Sequence, residues 1–161
     1  MKRYLPMLGL VVLAIAFLVW RSLPEQVIKR RCKALIELLD QMDAGASVFD
    51  YNRLDGLLAD RIEFRIDLLE EELVSADREQ ALSAYRWMSD EVKRSSFSIA
   101  EFRDIEFEGD EARVRMEVES VVEMPDIRSL DGRHACEFLW QRDGKGDWRL
   151  EGLSWSESPG S

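Results

Sequence analysis

Few side chains in this 161-residue chain are of the types that carry acid–base or metal chemistry. His134 is the single histidine, and Cys32 and Cys136 are the only two cysteines. A zinc or iron–sulfur centre requires several such ligands at short spacing, which these three residues do not offer. We therefore predict no metal site and no cofactor.

Cys32 falls in a predicted helix and Cys136 in a predicted strand. A disulfide between them would require that helix to pack on that strand. The alternative is a pair of buried, reduced thiols that pack like small apolar side chains. We prefer the second interpretation.

His134 shares the phase of its strand with the large aromatic residues that follow it. A histidine in that position could act as a base or as a switch near neutral pH, but a hydrogen-bonded or solvated imidazole is the interpretation we prefer. Tyr85, on a predicted helix, could donate a hydrogen bond or pack in the core. The residues predicted to line a ligand pocket are Tyr85, Met116, Val118, His134, Phe138 and Trp140. Because no aspartate or glutamate is in phase with them, we predict no catalytic residue.

The stretch from Glu111 to Glu123 organises the predicted fold, because its residues alternate between apolar and charged. This period of two is typical of a strand with one buried face. About a dozen residues in this register span roughly 40 Å. The amphipathic helices upstream are the available cover for the apolar face.

The rest of the chain changes between helical and strand periodicity in a definite order. The predicted helices run from Pro24 to about Asp43, from Asp50 as a cap through Leu57 and Leu58, and from Ser75 or Asp77 to about Lys93. The predicted strands are 62–66, 97–107, 112–124, 133–142 and 148–155. Changes of parity predict a bulge at Ala100–Glu101 and a bend at Gly152.

The balance of charge is acidic, with a formal net charge of −10. Non-specific binding of nucleic acid depends on attraction between basic side chains and phosphates, and this balance has the wrong sign for it. We therefore predict no nucleic-acid partner.

The N-terminus carries Lys2 and Arg3, followed by 17 uncharged residues from Tyr4 to Trp20. As a helix, this run would be roughly 26 Å long, near the lower limit for crossing a bilayer. No small-residue cleavage site follows it. We predict an uncleaved, single-pass transmembrane anchor over residues 1–23, a folded domain over 24–156 and a polar tail over 157–161.

The flanking charges disagree about the orientation of that anchor. Lys2 and Arg3 favour a cytoplasmic N-terminus, whereas Arg21 and the basic residues of 29–33 favour the opposite orientation. Because residues 29–33 belong to a predicted domain helix rather than to a short loop, we discount them. The domain is therefore predicted on the exported side, periplasmic or extracellular.

The order of elements resembles that of the nuclear transport factor 2-like (NTF2-like) superfamily, which includes SnoaL-like and ketosteroid isomerase-like domains. The segments that carry the resemblance are 27–60, 62–66, 76–93, 97–107, 112–124, 134–142 and 148–156. The resemblance implies an α+β cone of the cystatin-like type, in which three helices pack on a strongly curved, mostly antiparallel sheet around an apolar pocket. It also implies a varied family of isomerases, cyclases, dehydratases and non-catalytic modules, some of which are membrane-tethered assembly components of secretion systems.

These expectations combine into a membrane-tethered, non-catalytic binding or assembly module of the cell envelope. Its expected partners are the membrane, through residues 4–20, and a protein or a second copy of the chain. The outer face of the sheet is rich in arginine and glutamate, interrupted by Val121 and Leu139, and this composition permits a polar dimer interface. The alternative is a small-ligand-binding protein, or an enzyme of the isomerase or dehydratase type, that binds a small apolar ligand in the cone cavity.

Overall fold

The computed structural model describes residues 5–66, 73–125 and 131–158. The helices are α1 (Leu5–Ser22), α2 (Pro24–Asp40), α3 (Val48–Asp55) and α4 (Arg78–Glu91), with a 3₁₀ turn at Met42–Ala44. The strands are β1 (Leu58–Ile66), β2 (Val74–Asp77), β3 (Arg94–Glu108), β4 (Glu111–Glu123), β5 (Gly132–Arg142) and β6 (Trp148–Glu157). This order confirms the predicted α+β class.

All six strands form one curled, mixed sheet with the order β2-β1-β6-β5-β4-β3. Strands β3 to β6 form the predicted antiparallel meander. Strand β1 pairs parallel with β6, and β2 adds an edge strand that sequence periodicity did not predict. The predicted helical positions of Leu57 and Leu58 are wrong, because α3 ends at Asp55 and Leu58 pairs with Leu150 of β6.

Strand β4 has the predicted length and alternation, and every second residue from Ala112 to Val122 is buried. A two-residue turn at Gly109–Asp110 joins it to β3, and Gly109 adopts a φ of +59° that favours glycine. The core lies between this inner face of the sheet and the helices. Buried Ile28, Cys32 and Leu35 line up along one side of α2 and belong to the same apolar cluster.

The helix ends differ from the predicted caps in two places. Helix α2 stops at Asp40, before the 3₁₀ turn, rather than continuing to Asp43. Ser47, not Asp50, caps α3, and Asp50 is the third helical residue that completes a capping box with it. Asp77 caps α4 as predicted, whereas Ser75 belongs to β2.

Irregularities in the strands let the sheet curve. The predicted bulge near Ala100 is present between Ile99 and Glu101, and a second bulge follows between Phe102 and Asp104. The predicted bend at Gly152 is also present, where the β5–β6 register shifts. A Cβ atom on Gly152 would lie 3.2 Å from the Cβ of Leu139, so the two strands approach closely there.

Among the residues that the structure describes, no helix is both long and apolar enough to cross a membrane. The predicted transmembrane anchor is therefore not confirmed. Residues 1–4 of that segment and 159–161 of the predicted tail lie outside the described residues, and Glu157 belongs to β6 rather than to the tail. The described apolar side chains of α1, from Val12 to Trp20, are exposed.

Cys32 on α2 and Cys136 on β5 are both free and buried. Burial raises the pKa of the Cys32 thiol to about 12 and raises that of Cys136 as well. The structure therefore agrees with the preferred interpretation of two reduced, buried thiols, which are unreactive because almost no thiolate forms near neutral pH.

We expect the folded full-length chain in detergent micelles not to react with a colorimetric disulfide reagent at pH 8. After unfolding in guanidinium, both thiols should react, because burial alone protects them. Absorbance at the end of each reaction counts the thiols. A chain with no reactive thiol even after unfolding would indicate a Cys32–Cys136 disulfide and contradict this prediction.

Candidate functional site

The residues predicted to line a pocket are brought together by the fold, but they are packed against one another and against the helices. Tyr85 and the five strand residues Met116, Val118, His134, Phe138 and Trp140 have exposed fractions between 0% and 5%. Pairing of β4 with β5 places Val118 opposite His134 and Met116 opposite Cys136. These side chains are enclosed, and all except His134 belong to one apolar cluster with buried residues of α2 and α4.

Tyr85 acts as a packing residue that also links two helices. Its hydroxyl donates a hydrogen bond to the backbone oxygen of Leu38 at 3.0 Å. Its ring lies edge-on to that of Tyr51, with centroids 5.9 Å apart. Burial raises the pKa of the Tyr85 hydroxyl. The hydroxyl is therefore committed to joining α4 to α2, in line with the core role weighed from the sequence.

His134 is buried, and its surroundings differ from those expected. Neither ring nitrogen has a hydrogen-bond partner among the described residues, so the preferred hydrogen-bonded or solvated imidazole is not found. The reason is that Trp155 of β6 covers the ring, with centroids 5.6 Å apart. The indole nitrogen of Trp155 is buried without a partner as well. Burial lowers the pKa of His134, and the charge of Glu157, which lies opposite on β6, opposes that shift.

On the inner face of the sheet, no acidic side chain among the described residues is buried. Among the described residues, Glu117 is the one buried acidic side chain. It points to the outer face of the sheet, because its neighbours Met116 and Val118 point inward. Arg103 donates to it, as do Arg133 at 3.4 Å and Ser158 at 3.2 Å. Within the same part of the chain, no three His, Cys, Asp or Glu side chains are grouped to hold a metal ion.

The outer face of the sheet carries a network of ion pairs across β3, β4 and β5. Arg115 donates to Glu137 at 3.0 Å and to Asp104 at 3.4 Å. Arg133 pairs with Glu119 at 2.8 Å, beside a concavity of about 330 Å³ that includes Ser96 and Ser98. Sequence alternation placed these charges on the outer face correctly. It did not single out Glu117 as a buried carboxylate, because burial there depends on arginines from two other strands.

No family model matches the sequence, and no curated protein matches it. Solved structures do match the fold. An NTF2-like protein from Cytophaga hutchinsonii gives a TM-score of 0.64 at 19% identity, covering 84% of this chain and 98% of the other. A candidate dehydratase from the NTF2-like family of Streptomyces avermitilis gives 0.63 at 14% identity, covering 83% and 94%. A protein with a cystatin-like fold from Nostoc punctiforme gives 0.62 at 15% identity, covering 86% and 94%.

At these identities the similarities establish the fold and not an activity. The chain has the α+β fold of NTF2-like and cystatin-like proteins, and the resemblance inferred from the order of its elements is confirmed at that level.

The buried imidazole of His134 predicts a dependence of stability on pH. The folded-state pKa is lowered from the ordinary value of 6.5, so the unfolded chain binds a proton at a higher pH than the folded chain does. Stability is therefore full above pH 6.5 and falls as the pH drops from 6.5 towards the folded-state pKa.

We expect urea unfolding of the full-length chain at pH 7.5, 6.5 and 5.5 to show a larger loss of stability for the wild type than for His134→Gln. The comparison uses the change with pH, so any uniform cost of the substitution cancels. A wild type that gains stability on acidification relative to the variant would show that attraction to the charge of Glu157 outweighs burial.

Proposed function

We propose that this chain is a non-catalytic binding or assembly module of the cell envelope. In this proposal residues 4–20 attach it to a membrane, the folded domain lies on the exported side, and a protein or a second copy of the chain binds at the domain surface. The observation that carries the non-catalytic part is the burial of the inner face, where Phe138 and Trp140 are 0% exposed within the core.

A buried inner face supports a binding module because ligand sites are concave spaces that remain open to a guest. Catalysis of the isomerase type also needs a carboxylate whose pKa is tuned by burial inside the cavity. The one buried acid of the described residues, Glu117, lies on the other face of the sheet and is paired with Arg103 and Arg133. What remains available for binding is the surface.

The exposure of α1 supports attachment to a membrane. Its described side chains from Val12 to Trp20 are without charge, and the large apolar ones among them are 53% to 69% exposed. A helix that is apolar on every side needs an apolar environment. A bilayer would supply that environment, and Lys2 and Arg3 on the N-terminal side favour export of the domain.

A second candidate function is a small-ligand-binding protein, or an enzyme of the dehydratase type, that uses the cone. It is favoured by one observation, the buried and unpartnered nitrogens of His134 and Trp155 at neighbouring positions. The Streptomyces avermitilis neighbour described as a candidate dehydratase is compatible with it. In this alternative a small guest with hydrogen-bonding groups would satisfy those nitrogens.

The packed interior predicts a large cost for truncating Phe138. We expect Phe138→Ala to lower the free energy of unfolding by about 3–5 kcal/mol, because it leaves a cavity in a packed core. The matched control is Phe107→Ala, which removes the same atoms from a ring that is 42% exposed and should cost about 1 kcal/mol.

Urea titration of the full-length chain in a non-ionic detergent measures both changes. If Phe138→Ala does not fold, Phe138→Leu removes fewer atoms and should still cost more than Phe107→Leu. Equal costs at the two positions would mean that Phe138 lines an open cavity, and would favour the ligand-binding alternative.

Membrane attachment is tested by comparing the full-length chain with a chain that lacks residues 1–23. We expect the full-length chain to stay with the membrane fraction in alkaline carbonate, and the shortened chain to leave it. A reporter fused after Ser161, active only outside the cytoplasm, should be active in the full-length fusion. Release of the full-length chain by carbonate would overturn attachment, and an inactive reporter would overturn the proposed orientation.

A further inference from the structure

Strand β3 is an edge strand. It lies at the end of the sheet order, and within residues 5–66, 73–125 and 131–158 the one strand that pairs with it is β4. It is also long, with 15 residues from Arg94 to Glu108. An edge strand of this kind presents backbone N–H and C=O groups that a further strand can use.

The first part of this edge is already occupied by side chains of the same chain. The backbone N–H of Ser95 donates to Asp43 at 3.3 Å, and that of Phe97 donates to Asp40 at 2.8 Å. The two bulges that follow, after Ile99 and after Phe102, interrupt the regular spacing of the edge. The regular run that remains is Asp104–Glu108, which we call the open edge.

The direction of the backbone groups in the open edge follows from the turn. Glu108 and Glu111 are opposite each other and flank the two-residue turn, so they form the hydrogen-bonded pair that closes the hairpin. Because hydrogen-bonded residues alternate with residues that face away from the partner, the N–H and C=O groups of Phe107 and Ile105 face away from β4. They are placed to pair with an added strand.

The side chains of the open edge specify what such a strand should carry. On the outer face, Asp104, Glu106 and Glu108 are acidic and exposed. On the inner face, Ile105 is half-buried and Phe107 is exposed. Neighbouring strands interact through side chains on the same face. The complementary strand therefore alternates basic side chains with apolar ones.

A second copy of the same edge does not meet this requirement. Pairing two copies antiparallel through Asp104–Glu108 would place acidic side chains next to acidic side chains, which is unfavourable at such short distances. Arg115 contacts Asp104 and Glu106 from β4, but it is already shared with Glu137. Charge complementarity therefore selects a basic partner over a second copy.

We propose that the open edge binds an extended segment of a partner protein, in which lysine or arginine alternates with apolar residues, by adding that segment to the sheet beside β3. The inference rests on the proposed function in that it gives the binding module a partner. Backbone pairing supplies the binding, the acidic outer face selects basic side chains, and Ile105 and Phe107 receive the apolar ones.

The test uses three fluorescently labelled seven-residue peptides and the full-length chain in non-ionic detergent micelles. The first peptide alternates valine with lysine. The second has the same composition with the valines and lysines in separate blocks, and the third alternates valine with glutamate. By fluorescence anisotropy, we expect the first peptide to bind at least tenfold more tightly than either of the others. It should also slow amide hydrogen exchange at residues 104–108.

A pair of charge-reversed variants locates the site. Glu106→Lys/Glu108→Lys should weaken binding of the valine–lysine peptide at least tenfold. The matched control Asp90→Lys/Glu91→Lys makes the same change of charge on exposed positions at the end of α4 and should change binding less than twofold. Near-equal losses in the two variants would show that long-range charge attraction accounts for the binding, and would overturn the proposal.

Other results overturn it equally clearly. These are equal binding of the block peptide, protection from exchange outside residues 104–108, or no binding at millimolar peptide. The outcome is independent of the Phe138 test. If no peptide binds and Phe138→Ala strongly lowers the free energy of unfolding, the basic partner is ruled out and the packed interior is retained. If the peptide binds and Phe138→Ala has little effect on that free energy, the basic partner is retained and the packed interior is ruled out.

Discussion

The pairing of β4 with β5 is the contact on which the rest of the structure depends. At two positions of the inner face a smaller side chain of β4 lies opposite a large one of β5, with Ala112 facing Trp140 and Val114 facing Phe138. The rings of Phe138 and Trp140 belong to the same buried cluster as residues of α2 and α4 and both cysteines, so this surface is the one on which the core is assembled.

The two faces of the same strands are stabilised by different interactions. The inner face is mostly apolar, whereas the outer face carries ion pairs shared among three strands. Glu117 belongs to the second group, although it is as buried as a core residue. A buried carboxylate is tolerated because Arg103 and Arg133 pair with it, and the loss of both arginines would leave a buried charge without a counterion. The outer face is thus stabilised by its own connected set of ion pairs.

Much of this architecture could be predicted from periodicity. The alternation in β4, the apolar spacing of α2, the bulge near Ala100 and the bend at Gly152 are local patterns, and local patterns survive folding when one face is buried. Features set by distant parts of the chain could not be found in this way. Strand β2 is one such feature, because its four residues are ordered by pairing with β1. The second bulge of β3 does have a local signal, since the apolar phase changes back between Phe102 and Ile105.

The same distinction between local and distant determinants applies to the candidate site. The inward phase of Met116, Val118, Phe138 and Trp140 was correct, since phase is a local property. The environment of His134 was not, since it depends on Trp155, which lies 21 positions later and comes to cover it only when β6 docks beside β5. The face on which a side chain lies can thus be predicted from the local sequence, whereas the residues that pack over that face cannot.

The position of β6 determines when the sheet can close. It follows the five other strands in the chain, yet it lies between β1 and β5. During synthesis, β3, β4 and β5 can pair as local hairpins, whereas β1 and β2 have no place in the sheet until Trp148–Glu157 has left the ribosome. The sheet therefore remains incomplete until residues 148–157 have been made, and hairpins formed earlier must wait for this strand before they join β1 and β2 in one sheet.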